Sequence, residues 1–351
     1  MTTRAYKHRI VRTDPPLACG GLLAWTSAPH THMAFETSNH NWRIGAETEP
    51  LGAEGGAGAN LSRGMAFSIR EDGTRYDRSG TPCVLKTAPD ADGDMQQELR
   101  VLRACRENGL PINTGDGQEY YLGGCSREGR LTLVFRLGPS DLAQHFGMGD
   151  KVTCRPQRPE LAVHIAIGTL EALKNLHAAG FIHSDIQPKN ILFNPYDGAV
   201  SIIDFGAAVE IGERGRDRCW EYSAPEQWGG GECTRRTDAF AVVGVLIYLL
   251  TGRAPFATEG KQEAHRRLCE DVVLSPESPQ REGRLDGWSR GDVNRPLGEQ
   301  IQHHCGVDGD HGLRHLLYYG MTRPVDKRWT CEKLTEELLN LHGAIIGERH
   351  A

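Results

Sequence analysis

The stretch 181–206, FIHSDIQPKNILFNPYDGAVSIIDFG, contains three side chains whose types and spacing could do chemistry. Asn190 stands just before one apolar segment and Asp204 just after the next, and a pair of hard oxygen donors is what Mg²⁺ prefers. Asp185 lies five residues before Asn190, where a carboxylate can orient a hydroxyl group and accept its proton. These residues indicate a metal site beside a group that can activate a hydroxyl.

A β-hairpin is the element that must bring these side chains together. The apolar segments 191–193 and 200–203 flank 194–198, NPYDG, in which Pro195 fixes φ and Gly198 accepts a positive φ. Antiparallel pairing of the two segments places Asn190 beside Asp204, although they are fourteen positions apart in the chain. The turn chemistry therefore predicts the convergence of the two oxygen donors.

A second candidate site lies upstream. The apolar strand 83–86, CVLK, ends in Lys86, and a helix is predicted from about Asp92 to just before Gly109. Met95, Leu102 and Cys105 form the apolar stripe of this helix, and Glu98 falls on the same stripe. A carboxylate on an apolar face requires a partner, so Glu98 is predicted to have one.

The order of the predicted elements indicates the fold class. Strands at 119–123 and 131–137 precede a break near Gly138, and amphipathic or fully apolar helices at 161–176 and 238–250 follow it. Strands first and helices afterwards predict an α+β protein in two lobes.

Composition limits the classes of function. The chain has 351 residues, with 40 Lys and Arg against 46 Asp and Glu, for a net charge of -6, which argues against nucleic-acid or acidic-membrane binding. The longest apolar run, 239–250, has twelve residues, fewer than the roughly 20 of a membrane-spanning helix. The ten cysteines show no metal-site or disulfide spacing, which favours a reducing compartment, the cytoplasm, or the nucleus if the host is eukaryotic.

Several short motifs follow one another in a fixed order. They are Val84-Leu85-Lys86, Glu98, His183-Ser184-Asp185, Asn190, Asp204-Phe205-Gly206 and Ala224-Pro225-Glu226, followed by Asp238 at the start of the apolar helix and by Arg328. In this order they resemble the signature set of the eukaryotic-type Ser/Thr protein kinase family. The resemblance covers about residues 45–340.

The resemblance implies phosphoryl transfer from ATP to a Ser or Thr hydroxyl of a protein substrate, which depends on positioning and electrostatic stabilisation. It implies that Lys86 holds the α- and β-phosphates and that Glu98 orients Lys86. It further implies that Asn190 and Asp204 hold Mg²⁺ and that Asp185 is the catalytic base. Neither the motifs nor the composition fix an oligomeric state.

The resemblance also implies a bilobal kinase-like fold, with a small β-rich N-lobe at 43–137 and a larger helical C-lobe at 138–345. Residues 1–42 are expected to form a flexible N-terminal extension. The glycine-rich stretch is expected to cradle the phosphates through Gly52, Gly55 and Gly58, although a flexible linker is the alternative reading. Phe135 and Leu137 are expected to line the adenine.

The sequence departs from the family at three linked places. Ser184 replaces the arginine before the catalytic aspartate, and 207–221 contain no Ser, Thr or Tyr, so we hypothesise a non-RD kinase that needs no phosphorylation of this stretch. Gln187 replaces a lysine, and Cys219 replaces the threonine that contacts that lysine. Either Lys189 supplies the missing charge or transfer is slow. The alternatives are a nucleotide-binding pseudokinase scaffold and a small-molecule phosphotransferase.

Overall fold

The computed structural model describes most of the chain from residue 34 to residue 349. The described residues are 34–36, 41–44, 49–55, 59–69, 80–110, 112–113, 117–147, 154–215, 218–255, 316–317, 319–321 and 325–349. They divide into two compact units. The first contains the described residues up to Leu102 with Gly117–Gly138, and the second contains the described residues of 103–116 with those from Pro139 onward. Each unit is described by itself below.

An antiparallel sheet forms the first unit. Its strands are β1 (Ala34–Glu36), β2 (Asn41–Ile44), β3 (Glu49–Gly55), β4 (Ala59–Ile69), β5 (Thr81–Pro89), β6 (Tyr121–Arg127) and β7 (Arg130–Arg136). Among the described residues the order is β1-β2-β4-β5-β7-β6, and β3 also pairs with β4. Small and branched apolar side chains make the core of the sheet, namely Ala66, Cys83, Leu85, Leu122, Cys125 and Val134.

The predicted helix after β5 is present as α1 (Gly93–Glu107). Asp92 caps it, because its Oδ1 accepts a hydrogen bond of 2.9 Å from the backbone N of Met95. The apolar stripe is buried as predicted, and Glu98 on that stripe is 1% exposed. The period of the sequence therefore sets the position of Glu98.

The first strands differ from the sequence prediction. β1 lies inside residues 1–42, the expected flexible extension, and pairs antiparallel with β2 through Phe35↔Trp42, so the sheet begins earlier than predicted. The rest of that extension before β2 lies outside the described residues. Gly52 and Gly55 belong to β3, while Gly58 lies outside the described residues.

Helices and short strands form the second unit. They are α2 (Leu142–Phe146), α3 (Pro159–Ala178), β8 (Phe181–Ile182), a 3₁₀ turn (Pro188–Asn190), β9 (Ile191–Phe193), β10 (Val200–Ile202), β11 (Val209–Glu210), α4 (Pro225–Trp228), α5 (Arg235–Thr251), a second 3₁₀ turn (Val325–Lys327) and α6 (Cys331–Arg349). None of the helices in the described part of the chain combines the length and hydrophobicity needed to span a bilayer.

The apolar helix α5 is the centre of this unit. Thr234 caps its start by accepting a bond from Arg236 N at 3.2 Å, and Gly252 ends it with a left-handed φ of 78°. Every residue from Thr237 to Leu250 is buried. A helix that is apolar all round must be surrounded by protein, and α3 and α6 pack against α5.

The predicted hairpin is confirmed as β9 and β10, which pair antiparallel with Ile191↔Ile202 and Val200↔Phe193 in register. Gly198 closes the turn with a φ of 76°, a conformation that a side chain would disfavour. The hairpin packs on α3, where Gly168 provides room for Val200.

Candidate active site

Lys86 and Glu98 form a buried ion pair in the first unit. Lys86 Nζ lies 2.8 Å from Glu98 Oε2, with side-chain exposures of 10% and 2%. β5 supplies the lysine and α1 the glutamate. Buried charges require close partners, so this ion pair holds both side chains in place. Glu98 thus has the partner that its place on the apolar stripe predicted.

The hairpin brings Asn190 and Asp204 to one end of the second unit. The backbone N of Ile203 donates to Asn190 O at 3.0 Å, which extends the pairing by one step and places Asp204 next to it. Asp204 has a φ of 66°, which is strained for a residue with a side chain. The backbone therefore departs from the regular strand conformation where the chain leaves the hairpin.

Asp185 joins the same group through two side-chain amides. Asn190 Nδ2 donates to Asp185 O at 2.8 Å and to Asp185 Oδ2 at 3.0 Å. Gln187 Nε2 donates to both carboxylate oxygens, at 2.9 and 3.0 Å. The carboxylate is consequently held in one orientation.

Burial raises the pKa of Asp185 to about 7, and the negative charge of Asp204 adds to the rise. The amides of Gln187 and Asn190 and the guanidinium of Arg218 act in the opposite direction. A carboxyl group with a pKa near neutrality is suited to accept a proton.

The two substituted family positions are in contact. Cys219 Sγ donates to Gln187 Oε1 at 3.2 Å and to Glu221 Oε2 at 3.3 Å. Gln187 thus connects Cys219 to Asp185 through one amide. Lys189 is exposed and its charge acts on Asp141, where it opposes the rise that burial causes in the pKa of that carboxyl group.

Asp238 supports the segment before Asp185, a role that sequence reasoning did not assign to it. Its Oδ2 accepts from His183 N at 2.9 Å and its Oδ1 from Ser184 N at 2.9 Å. His177 Nε2 lies 2.7 Å from the same Oδ2. A carboxylate at the start of an apolar helix was the available signal, but its partners lie more than fifty residues away.

A second buried ion pair joins α4 to the segment before α6. Arg328 donates from both terminal nitrogens to Glu226, at 2.7 Å to Oε1 and 3.0 Å to Oε2. Arg328 also donates to Arg236 O at 3.0 Å, and its guanidinium lies 4.9 Å from the centre of the Phe240 ring. Bidentate geometry of this kind is the strongest form of side-chain ion pairing.

The residues predicted to line the adenine lie at the end of β7. Phe135 is 3% exposed and stacks on Tyr120 with ring centroids 4.9 Å apart. Leu137, just beyond the strand, is 40% exposed. Their contact with a nucleotide remains a prediction, as do the roles of Gly52, Gly55 and Gly58.

The oxygen donors present suit Mg²⁺. The amide of Asn190 directs its nitrogen at Asp185, which leaves its carbonyl oxygen as the ligand atom, and Asp204 contributes a carboxylate. Within the described ranges no cluster of three His, Cys, Asp or Glu side chains could hold a metal. One carboxylate and one amide, completed by water and phosphate oxygens, are the kind of donor set on which Mg²⁺ is bound.

Comparison with known proteins defines the class to which this fold and site belong. The family model described as "Protein kinase domain" matches residues 121–339, which is more than half of the chain. The chain therefore belongs to the protein kinase family, and the predicted α+β kinase fold is confirmed. Lys86 and Glu98 lie upstream of the matched residues.

Among the similar proteins are bacterial serine/threonine kinases. A probable serine/threonine-protein kinase of Streptomyces coelicolor is 35% identical over 106 residues, 28% of this chain and 16% of that protein. PknB of Mycobacterium tuberculosis is 31% identical over 137 residues, 36% of this chain and 21% of PknB. PknL of the same species is 38% identical over 125 residues, 33% of this chain and 31% of PknL. The chain spans less than a third of the length of each relative.

Proposed function

We propose that the chain is an ATP-dependent protein kinase that transfers the γ-phosphate to Ser or Thr hydroxyls of protein substrates. The observation that carries the proposal is the arrangement around Asp185. Its carboxylate accepts hydrogen bonds from Asn190 and Gln187, and the charge of Asp204 contributes to its raised pKa. The names of the similar proteins, which are serine/threonine kinases, support the choice of substrate class.

Asp185 orients the acceptor hydroxyl and takes its proton. A bond forms between the hydroxyl oxygen and the γ-phosphorus, the bond from that phosphorus to the β–γ bridging oxygen breaks, and ADP leaves with the bridging oxygen. Lys86, oriented by Glu98, holds the α- and β-phosphates. Such transfer depends on positioning and on stabilising charge on oxygen rather than on covalent help from the protein.

Asn190 and Asp204 would hold Mg²⁺, which supplies positive charge to the phosphate oxygens. Burial is the larger of the two causes that raise the pKa of Asp185, and the charge of Asp204 is the smaller. A divalent cation held by Asp204 would oppose the smaller cause. Gln187 keeps the carboxylate oriented but adds no charge.

The substitutions Gln187 and Cys219 favour a second candidate, a pseudokinase that binds nucleotide without transferring phosphate. The two side chains form a neutral contact where the resemblance implies a cationic lysine. Losing a cation beside developing charge costs on the order of 2–4 kcal/mol of transition-state stabilisation. Slow transfer is consistent with the first candidate, and complete absence of transfer would favour the second.

Location and partners stay proposals as well. The cysteine pattern supports a reducing intracellular compartment, and the acidic charge balance supports a protein rather than a nucleic acid or a membrane as the main partner.

Incubation of the full chain with γ-labelled ATP, Mg²⁺ and a generic basic protein tests the proposal. The expected product is acid-stable phosphoserine or phosphothreonine on the acceptor. ATP binding without any labelled acceptor would support the pseudokinase reading and reject the kinase reading. Omission of Mg²⁺ should abolish labelling, because the positive charge that Asn190 and Asp204 are proposed to hold against the phosphate oxygens would then be missing.

A further inference from the structure

The side chain of Gln227, in the short helix α4, is buried and bonded at both ends of its amide. It is 3% exposed. Its Nε2 donates to Ser184 O at 2.8 Å and to Ser184 Oγ at 2.9 Å, and its Oε1 accepts from Ala224 N at 2.9 Å. An amide has the two donors and the acceptor that this place uses, whereas a carboxylate has acceptors only.

Ser184, the residue before Asp185, is thereby held on both sides. Its N donates to Asp238 and its O accepts from Gln227. The backbone of Ser184 has a φ of 65°, a strained conformation that persists only where the surroundings impose it. Gln227 and Asp238 hydrogen-bond this backbone directly before Asp185.

The segment that follows Asp204-Phe205-Gly206 reaches the same place. Gly212 N donates to Cys233 O at 2.9 Å, and Cys233 N donates to Glu213 O at 2.8 Å. Cys233 Sγ lies 3.9 Å from Ser184 Oγ, and a Cβ atom added to Gly215 would overlap Cys233 Sγ. Ser184, Gly215, Gln227 and Cys233 thus form one packed group, here called the Gln227 cluster.

The two hydroxyl side chains of the segment 207–223 are buried. Tyr222 is 1% exposed and Ser223 is 5% exposed, and Ser223 Oγ donates to Cys219 O at 2.9 Å. Residues 207–221 contain no hydroxyl side chain. The cluster is complete without a phosphate group on this stretch.

We propose that Gln227 is a positioning residue that fixes Ser184, and through it Asp185, in place of contacts to a phosphorylated activation segment. The proposal rests on the proposed kinase function for its effect on catalysis. The amide does with neutral hydrogen bonds what an arginine and a phosphate would do with charges. The kinase is consequently active without phosphorylation of 207–223.

Gln227→Glu tests the proposal with little change in volume. The carboxylate places an acceptor against Ser184 O but can still accept from Ala224 N. Gln227→Met removes both kinds of bond. Gln144→Glu makes the same chemical change at an exposed position of α2 and is the matched control. All proteins are treated with phosphatase, and the absence of phosphate is verified by mass spectrometry.

Steady-state kinetics and hydrogen exchange are measured on each full-length variant. The wild type is expected to transfer phosphate, Gln144→Glu to match it, and Gln227→Glu to lose at least about tenfold in kcat, because displaced catalytic groups act on kcat, with little change in the KM for ATP. Amide exchange at Ser184 and Asp185 is expected to quicken in Gln227→Glu while Ala224 stays protected. In Gln227→Met, exchange at Ala224 quickens as well.

Equal kcat in Gln227→Glu and Gln144→Glu would overturn the proposal, and so would a wild type that becomes active only after phosphorylation within 207–223. If the wild type transfers no phosphate in any state, the proposed function fails, and unchanged exchange at Ser184 in Gln227→Glu then rejects the positioning role separately. If Gln227→Glu does not fold, Ser184→Ala decides. Ser184→Ala removes the bond from Gln227 Nε2 to Ser184 Oγ and keeps the bond to Ser184 O. A loss of about threefold in kcat is therefore expected, and no loss would count against the proposal.

Discussion

Arg328→Met is expected to destabilise the second unit strongly. Arg328 is 1% exposed, and its two terminal nitrogens bond both oxygens of Glu226. Methionine retains much of the apolar stem of arginine but removes the guanidinium. Glu226 then still accepts the hydrogen bond from Thr237 Oγ1 at 2.9 Å. It loses the positive charge of Arg328 in a site where its own side chain is only 8% exposed.

The size of the effect follows from burial. Removing one partner of a buried ion pair costs about 3–5 kcal/mol, since the other charge stays desolvated. Each kcal/mol lowers the Tm of a unit of this size by about 2–4 °C. Multiplying the two ranges gives an expected decrease in Tm on the order of 10 °C. Removing both charges in Glu226→Leu with Arg328→Met should destabilise less than Arg328→Met alone, because no charge is left buried.

Arg235→Met is the matched control. Arg235 lies 3.8 Å from Glu332, with side-chain exposures of 47% and 67%, and exposed pairs contribute about 0–1 kcal/mol. Differential scanning calorimetry of the wild type and the variants gives the comparison. A Tm of Arg328→Met within about 2 °C of the wild type, or equal effects of Arg328→Met and Arg235→Met, would refute the reasoning from burial.

Three further outcomes are expected. Lys86→Met should lower phosphate transfer by at least about 100-fold in the labelled-ATP assay, and full activity of this variant would remove Lys86 from the proposed site. Asp238→Asn should lower the free energy of unfolding by about 2 kcal/mol, because asparagine has one acceptor oxygen and the backbone N–H groups of residues 183 and 184 need two. Urea unfolding measures this, and an unchanged midpoint would contradict it. Gly168→Ala should destabilise by about 1–3 kcal/mol although alanine favours helices, because the new Cβ would lie 2.7 Å from Val200 Cγ2. Adding Val200→Ala to Gly168→Ala should recover stability. A Gly168→Ala variant more stable than the wild type would contradict the expected clash and show that the hairpin moves to accommodate the new Cβ.

The local parts of the site were predictable from the sequence. Asn190 and Asp204 meet because one short hairpin with a turn of known chemistry joins them. Glu98 was recognised because the helical period placed a carboxylate among apolar residues. In both cases the spacing of a few residues contains the necessary information.

The long-range contacts could not be predicted in the same way. Gln227 and Ser184 are 43 residues apart, and His177 and Asp238 are 61 apart, so neither pair leaves a periodic signal. A glutamine in a short polar segment looks like an ordinary surface residue until the fold buries it. Strand β1 was missed for a related reason, since its three residues are held by backbone pairing with β2.

The ratio of kcat between the wild type and Asp185→Asn is the most direct test of the proposed chemistry, measured with ATP affinity in the same preparations. A positioned general base contributes about 10²–10⁴-fold to the rate. We therefore expect kcat to fall by at least about 100-fold while the Kd for Mg-ATP changes little. Equal rates of phosphate transfer in the two proteins would contradict the assignment of Asp185 and, with it, the proposed mechanism.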